Sequence, residues 1–419
     1  MSHVHPNSRN RGLKILAFWA PVLVLPLIWI LYPKCLSEKN PILDLCDTRW
    51  YDRFDSHVGY RIPVVAVVKM LKAIFPTMTS FQCGTLLSSV GLLGLFGLLR
   101  KYFRTWHGTD PSNLTLLLWS AMSPSILLLA AQISTDFLSG LLCMWVLMEL
   151  EWERVNQRLA QVGFWKLLRW AFVLVLSFSV KETIIFLWAG YGLVFLIHEL
   201  KTFGKVAFFL VKLVGLCIGF IGLEMLVDQL IYGNFLHKYE WIILKPHGGN
   251  GEGEIAGATQ SAFIHYGLFH VENHLKLYGR MGIAGMLGLV AAVVYLRRNV
   301  WAQTLLAVMV IMTAMAFTAR FLMERYFLIV IVIELALMGQ LLMAALKRWP
   351  GMLTKLAVAG VAIAAVGVSL FNFTYRYNPP LIKRNPQLET DYCCQPELCP
   401  NDPFFWPEAD EAKHEIEQR

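Results

Sequence analysis

Long apolar runs separated by short, mostly basic turns dominate this chain. Their approximate cores are 15–32, 79–99, 113–132, 137–150, 165–180, 183–198, 206–230, 281–296, 301–319, 326–346 and 354–373. A bilayer crossing takes about 20 apolar residues as a helix. The pattern therefore predicts an all-α polytopic membrane protein with about 11 transmembrane helices. One apolar stretch differs. Residues 61–75, RIPVVAVVKMLKAIF, place Lys69 and Lys72 on one face and are too short and too charged to span, which predicts an amphipathic helix lying in the interface, the alternative being a tilted membrane helix.

The first run follows Arg9, Arg11 and Lys14 and is longer than a signal-peptide core. Pro33-Lys34-Cys35, not a small-residue cleavage site, comes after it, so a retained first helix is expected. The implied organisation is a cytoplasmic N-terminus (1–14), a transmembrane domain (15–373) with outer loops 33–77 and 231–280, and a non-cytoplasmic tail (374–419). Basic residues fix that orientation. RKYFR after the second run, the Arg154/Arg158/Lys166 stretch, Lys201 with Lys205, Arg297-Arg298 and Lys347-Arg348 all fall on one side when the N-terminus is cytoplasmic. No internal repeat is visible.

Composition sharpens this picture. A hydrophobic fraction of 56%, 16% charged residues and a mean hydropathy of +0.52 exclude an ordinary soluble domain. The net charge of +8 follows from the basic turns and is no sign of a nucleic-acid partner. Cys83, Cys143 and Cys217 lie in apolar runs and are expected to pack. Cys35, Cys46, Cys393, Cys394 and Cys399 fall on the outer side, where disulfides persist, and a Cys35–Cys46 bridge would tie the base of the first loop. CCQPELC has no histidine at ligand spacing, which favours a disulfide over zinc.

The chemistry concentrates on the outer side. Residues 44–63, DLCDTRWYDRFDSHVGYRIP, gather Asp44, Asp47, Asp52 and Asp55 with Arg49, Arg53, Arg61 and His57. A segment so rich in both signs belongs in water or in a polar cavity at the membrane surface. Asp47, close to Arg49, suits a general base for an acceptor hydroxyl; the alternative is a solvated loop of weakly paired charges. Asp136, Lys181, Glu182, Arg320, Glu324 and Arg325 recur at the same depth, in three outer turns. Each alone can be a helix end with a snorkelling side chain. Together they place cations where a lipid-linked phosphate or pyrophosphate would sit, Arg as a donor fork and Lys as a point charge. His57 is a further contact candidate. The Gly-rich HGGNGEGE of loop 231–280 lacks the P-loop Lys-Ser/Thr and reads as a loop over a site entrance; HVENH lacks the glutamate of the zinc-protease motif.

These features resemble the GT-C superfamily of membrane glycosyltransferases, nearest the protein O-mannosyltransferases and the lipid A aminoarabinose transferase group. Asp47-Thr48-Arg49-Trp50-Tyr51 is similar to that group's Asp-Glu-x-Arg-Tyr, without its Glu and with one residue fewer before the Arg. Arg61-Ile62-Pro63 resembles the basic residue and Pro that open the family's interfacial helix. Asp136 resembles the Asp after its third helix, and Arg325-Tyr326 the Arg-Tyr of a late helix. The resemblance covers residues 15–345. It implies a GT-C-like fold and transfer of a sugar from a polyprenyl-phosphate donor to a lipid, glycan or protein acceptor, on the non-cytoplasmic face.

In that scheme Asp47 is the base, and Arg49, Arg61, Lys181, Arg320 and Arg325 hold phosphate. Asp136, Glu182, Tyr326 and His57 complete the substrate site. No cofactor is required, with a divalent cation as an open alternative, and a bacterial inner membrane is preferred to the endoplasmic reticulum. The rival readings are a lipid-linked glycan polymerase or ligase, a transporter or flippase, and a non-catalytic assembly subunit.

Overall fold

The computed structural model of the protein describes residues 61–78, 80–107, 135–199, 203–243, 283–316 and 328–360. Among them every regular element is helical. The main helices are α1 (Ile62–Ile74), α2 (Ser80–His107), α3 (Thr135–Val155), α4 (Phe164–Val180), α5 (Ile185–Glu199), α6 (Phe203–Tyr232), α7 (His237–Ile243), α8 (Ile283–Tyr295), α9 (Val300–Ala316) and α10 (Leu328–Arg348). A further helical stretch, α11, covers 352–360. The predicted runs 15–32 and 113–132, most of 354–373, and the tail lie outside the described residues.

Most boundaries follow the apolar runs, with two physical differences. Helix α2 continues through RKYFR to His107, where a basic loop was expected. Leu98, Leu99, Tyr102 and Phe103 keep the helical apolar period and are buried, while Lys101 and Arg104 point outward. Cations in a last turn suit the negative end of a helix, so basic residues there need not end it. The other difference is α7, inside the stretch expected to be loop. Gly233, at φ 69°, closes α6 in the left-handed region, as a glycine past a helix end does, and the chain re-enters a helix within four residues.

Helix α3 is central, packed on α2, α4 and α10; α6 lies on the other side of α4, and α5, α9, α10 and α8 complete the bundle. Helices α2 and α3 run the same way. Gly91 of α2 lies against the backbone at Phe137 and Leu138 at one end, and Trp106 meets Trp152, 5.2 Å between ring centroids, at the other. The return helix α4 is tied to α3 by the Ser139 hydroxyl donating to the Ser177 carbonyl (2.9 Å). Helix α9 runs against α5, with Gly190 fitted against Val308 and His198 hydrogen-bonded to Gln303.

These pairings sort the turns onto two ends. At one, Arg154 pairs with Glu151 (2.7 Å) and Glu199 (3.2 Å), Arg169 with Glu149 (2.8 Å), Lys101 with Glu149 (3.8 Å), and Lys166 with Glu153. Asn299 caps α9 by accepting from the Trp301 amide (2.8 Å), donates to Gln340 (2.7 Å), and Gln340 reaches the Tyr102 hydroxyl. The described members of the basic turns therefore share an end, the grouping that the charge pattern predicts. The other end carries Arg61, Thr135, Lys181 and Asp228.

Among the described residues, two segments are long and apolar enough to cross a membrane by length and composition, Glu182–Glu199 and Val206–Tyr232. Helix α1 forms where expected, with Pro63 in its first turn, a position that needs no backbone donor. Its Val64 and Val68 pack with Cys83 and Val180 in a small core beneath it, while Lys69 and Met70 lie outward. Cys83 and Cys143 are buried and Cys217 is half-buried, the burial expected of packing residues.

The α2–α3 contact offers a direct check. A Cβ on Gly91 would lie 2.6 Å from the Leu138 backbone nitrogen, which cannot turn aside, whereas one on Gly219 meets nothing within 4 Å. Gly91→Ala should lower thermal stability in detergent by about 1–3 kcal/mol, and Gly219→Ala should leave the midpoint unchanged or raise it. Equal midpoints for the two variants would contradict this packing.

Candidate functional site

The site is assembled where α4 stops. Ser177 and Ser179 turn their hydroxyls back onto the carbonyls of Leu174 and Val175, which competes with regular helix near its end. Lys181 is then fully extended (φ −154°, ψ 116°), and a single 3-10 turn, Glu182–Ile184, starts the chain into α5. This break exposes two ionisable side chains on adjacent residues to the N-terminal end of α1. The Glu182 carboxylate accepts from Arg61 Nη2 at 3.1 Å and lies 3.7 Å from Lys181 Nζ. Arg61 is 8% exposed and Lys181 4%. Residues 121 positions apart are thereby joined, and two buried cations meet one carboxylate. Charges so enclosed are costly unless paired, and only a defined geometry keeps them.

A second ion pair adjoins the first. Lys238 of α7 is completely buried; its Nζ lies 2.6 Å from Glu224 Oε1 and 4.3 Å from the Phe178 ring centre. Its backbone amide donates to Asp228 Oδ2 at 3.4 Å. Glu224 and Asp228 are four residues apart on α6, so they share a face. Tyr239 stacks near Phe178, ring centres 6.4 Å apart. Burial pulls the Lys238 ammonium below its ordinary lysine range, against the attraction of Glu224 and, more weakly, of Glu182 and Asp228. Burial also pushes the Tyr239 hydroxyl up to about 12, helped by the same two α6 carboxylates. Phe178, only three residues before Lys181, bridges the two pairs.

Of the residues expected from sequence, Arg61, Lys181 and Glu182 come together. Asp136 is the second residue of α3, whose first turn lies at the same end of the bundle. Asp47, Arg49, His57, Arg320, Arg325 and Tyr326 lie outside the described residues, as does the Cys35–Cys46 bridge. Sequence reading passed over Glu224, Asp228, Lys238 and Tyr239. The signal was there for the first two, since a Glu and an Asp four residues apart interrupt a membrane-length run whose one other charged residue is Lys212. Among the described residues no group of three His, Cys, Asp or Glu side chains has the arrangement to hold a metal ion.

Compared with known protein families, with characterised proteins and with solved structures, the chain matches none.

Removing the ammonium of Lys238 tests whether it fastens α7. Lys238→Met should cost about 3–5 kcal/mol, because Glu224 is left as a buried charge without its cation. Amides of residues 237–243 should exchange with deuterium markedly faster than in the wild type. Unchanged exchange across that helix would show that the pair does not hold it.

Proposed function

We propose that this protein is an integral membrane glycosyltransferase that moves a sugar from a polyprenyl-phosphate donor to an acceptor hydroxyl, at the end of the bundle that carries Arg61 and Lys181. The observation that carries this reading is the buried meeting of those two cations on Glu182. Sugar transfer from a lipid phosphate leaves a phosphate group with growing negative charge, and preorganised cations at that point lower the barrier. Arg61 supplies a planar fork of donors and Lys181 a compact charge, two complementary ways of holding phosphate oxygens.

The polytopic membrane reading draws support from exposed apolar faces. On α6, Phe208, Val211, Val214, Ile218, Leu223, Leu226 and Leu230 face outward, Leu230 with 84% of its surface exposed. Water opposes such a stripe and lipid covers it. At about 1.5 Å per residue, the 30 residues of α6 reach beyond a hydrocarbon core of about 30 Å. Loops rich in Arg and Lys at the opposite end from Arg61 match a cytoplasmic assignment of that end, with the reaction on the other face.

In this mechanism Asp47 removes the proton from the acceptor hydroxyl as its oxygen attacks the anomeric carbon. The bond from that carbon to the donor phosphate oxygen breaks, and its electron pair stays with the phosphate held by Arg61 and Lys181. Arg49, Arg320 and Arg325 are assigned to the same anion, with Asp136, Glu182, His57 and Tyr326 around the substrate. Direct attack inverts the anomeric configuration.

Purified protein incubated with a panel of labelled polyprenyl-phosphate monosaccharides should consume one of them and release polyprenyl phosphate. Asp47→Asn should insert normally and lose at least about 100-fold in rate, and Lys181→Met should lose about 100–1,000-fold. Donors moved across the bilayer intact would overturn the assignment in favour of a transporter. Consumption only of pyrophosphate-linked oligosaccharides would favour a glycan polymerase or ligase.

A further inference from the structure

Beside the two cations, the corner between α6 and α7 has a different character. Asp228 is wholly buried, yet its Oδ1 meets no hydrogen-bond partner among the described residues. The same holds for Glu224 Oε2, on a side chain only 10% exposed, and for the Tyr239 hydroxyl. A carboxylate oxygen or phenol enclosed without a partner forfeits its hydration and is costly. Here three such atoms belong to one small cluster. Asp228 and Glu224 are one helical turn apart, Lys238 joins them through its backbone amide to the first and its ammonium to the second, and Tyr239 follows it directly in the chain.

Resting on the reading above, we infer that Glu224, Asp228 and Tyr239 form the subsite for the sugar ring of the donor, accepting hydrogen bonds from its hydroxyls. The chemistry fits a polyhydroxylated ring better than an anion or a metal. Two carboxylate acceptors repel phosphate, and among the described residues the acids here make no metal cluster. Vicinal hydroxyls are donors that carboxylate oxygens accept strongly. Lys238 holds the two acids in place and keeps their combined charge down. It is a positioning residue. The cluster adjoins the Arg61–Glu182–Lys181 group through Phe178 and through the attraction between Lys238 and Glu182, so sugar and phosphate sites are neighbours, as one donor requires.

The test separates sugar from phosphate. Citronellyl phosphate, and citronellyl-phosphate esters of glucose, galactose, mannose and arabinose, are titrated into the full-length protein in nanodiscs. In the wild type at least one ester should bind about tenfold or more tighter than citronellyl phosphate alone. Asp228→Asn and Glu224→Gln should each remove that increment while leaving the affinity for citronellyl phosphate within twofold. Tyr239→Phe, which removes one oxygen and keeps the ring, should lose part of it and guards against misfolding of the carboxylate variants. An increment that survives in all three variants, or no increment for any ester while citronellyl phosphate still binds, overturns the sugar subsite and leaves the phosphate site standing; the cluster then holds only water. Failure of citronellyl phosphate itself to bind removes the transferase reading and this inference with it.

Discussion

The Arg61–Glu182 pair is the contact on which the arrangement of this end depends. It joins the start of α1, a short helix outside the main bundle, to the break between α4 and α5. Neither partner is placed by its own element alone. Arg61 is held by the helix that Pro63 opens, and Glu182 is held by an extended residue and one 3-10 turn. Desolvating both charges costs several kcal/mol unless their geometry is good, so the pair stabilises only one placement of α1 over α2 and α4. Val64 and Val68, packed on Cys83 and Val180, then secure that placement by ordinary apolar burial.

The two ends of the bundle use charge in different ways. At the basic end, Glu149, Glu151, Glu153 and Glu199 are tied to Lys101, Arg154, Lys166 and Arg169 in a belt: Glu151 takes two hydrogen bonds from Arg154 and one from the Tyr191 hydroxyl, and Glu149 takes one from Arg169 and one from Trp170. This belt satisfies itself and reads as a structural girdle. At the other end, oxygens of Glu224 and Asp228 that meet no partner among the described residues stand beside a cation cluster. Proteins tolerate such incompletely satisfied polar groups mainly where a ligand or water completes them. That contrast, rather than the mere presence of charge, is what marks the second end as the candidate site.

Much of the fold was legible because exposed and buried positions on these helices are both apolar, so the length of each run marks a helix. Runs 165–180 and 206–230 closely anticipate α4 and α6. What was less legible is where a helix goes on beyond its apolar run. Tyr102, Phe103 and Trp106 carry α2 through a basic stretch because their period, not their polarity, sets the burial. Of the site, Arg61, Lys181 and Glu182 could be named from sequence since they interrupt apolar context at turns. Lys238 could not, because a lysine in a loop is ordinarily solvated, and only the fold brings it beneath α4 against Glu224. The helical span of α7 was equally hidden, since seven residues are too few to show a period.

The central claim is that the Arg61–Glu182 contact serves donor phosphate as well as the fold, and exchanging the two charges separates those roles. Measured together, the thermal midpoint and the rate of polyprenyl-phosphate-sugar consumption should part company in Arg61→Glu/Glu182→Arg. The account predicts a midpoint well above that of either single reversal, because the pair is restored, with consumption still lost, because the cation has left the phosphate. A double variant that regains both stability and turnover would contradict it, and would mark the contact as a strut alone.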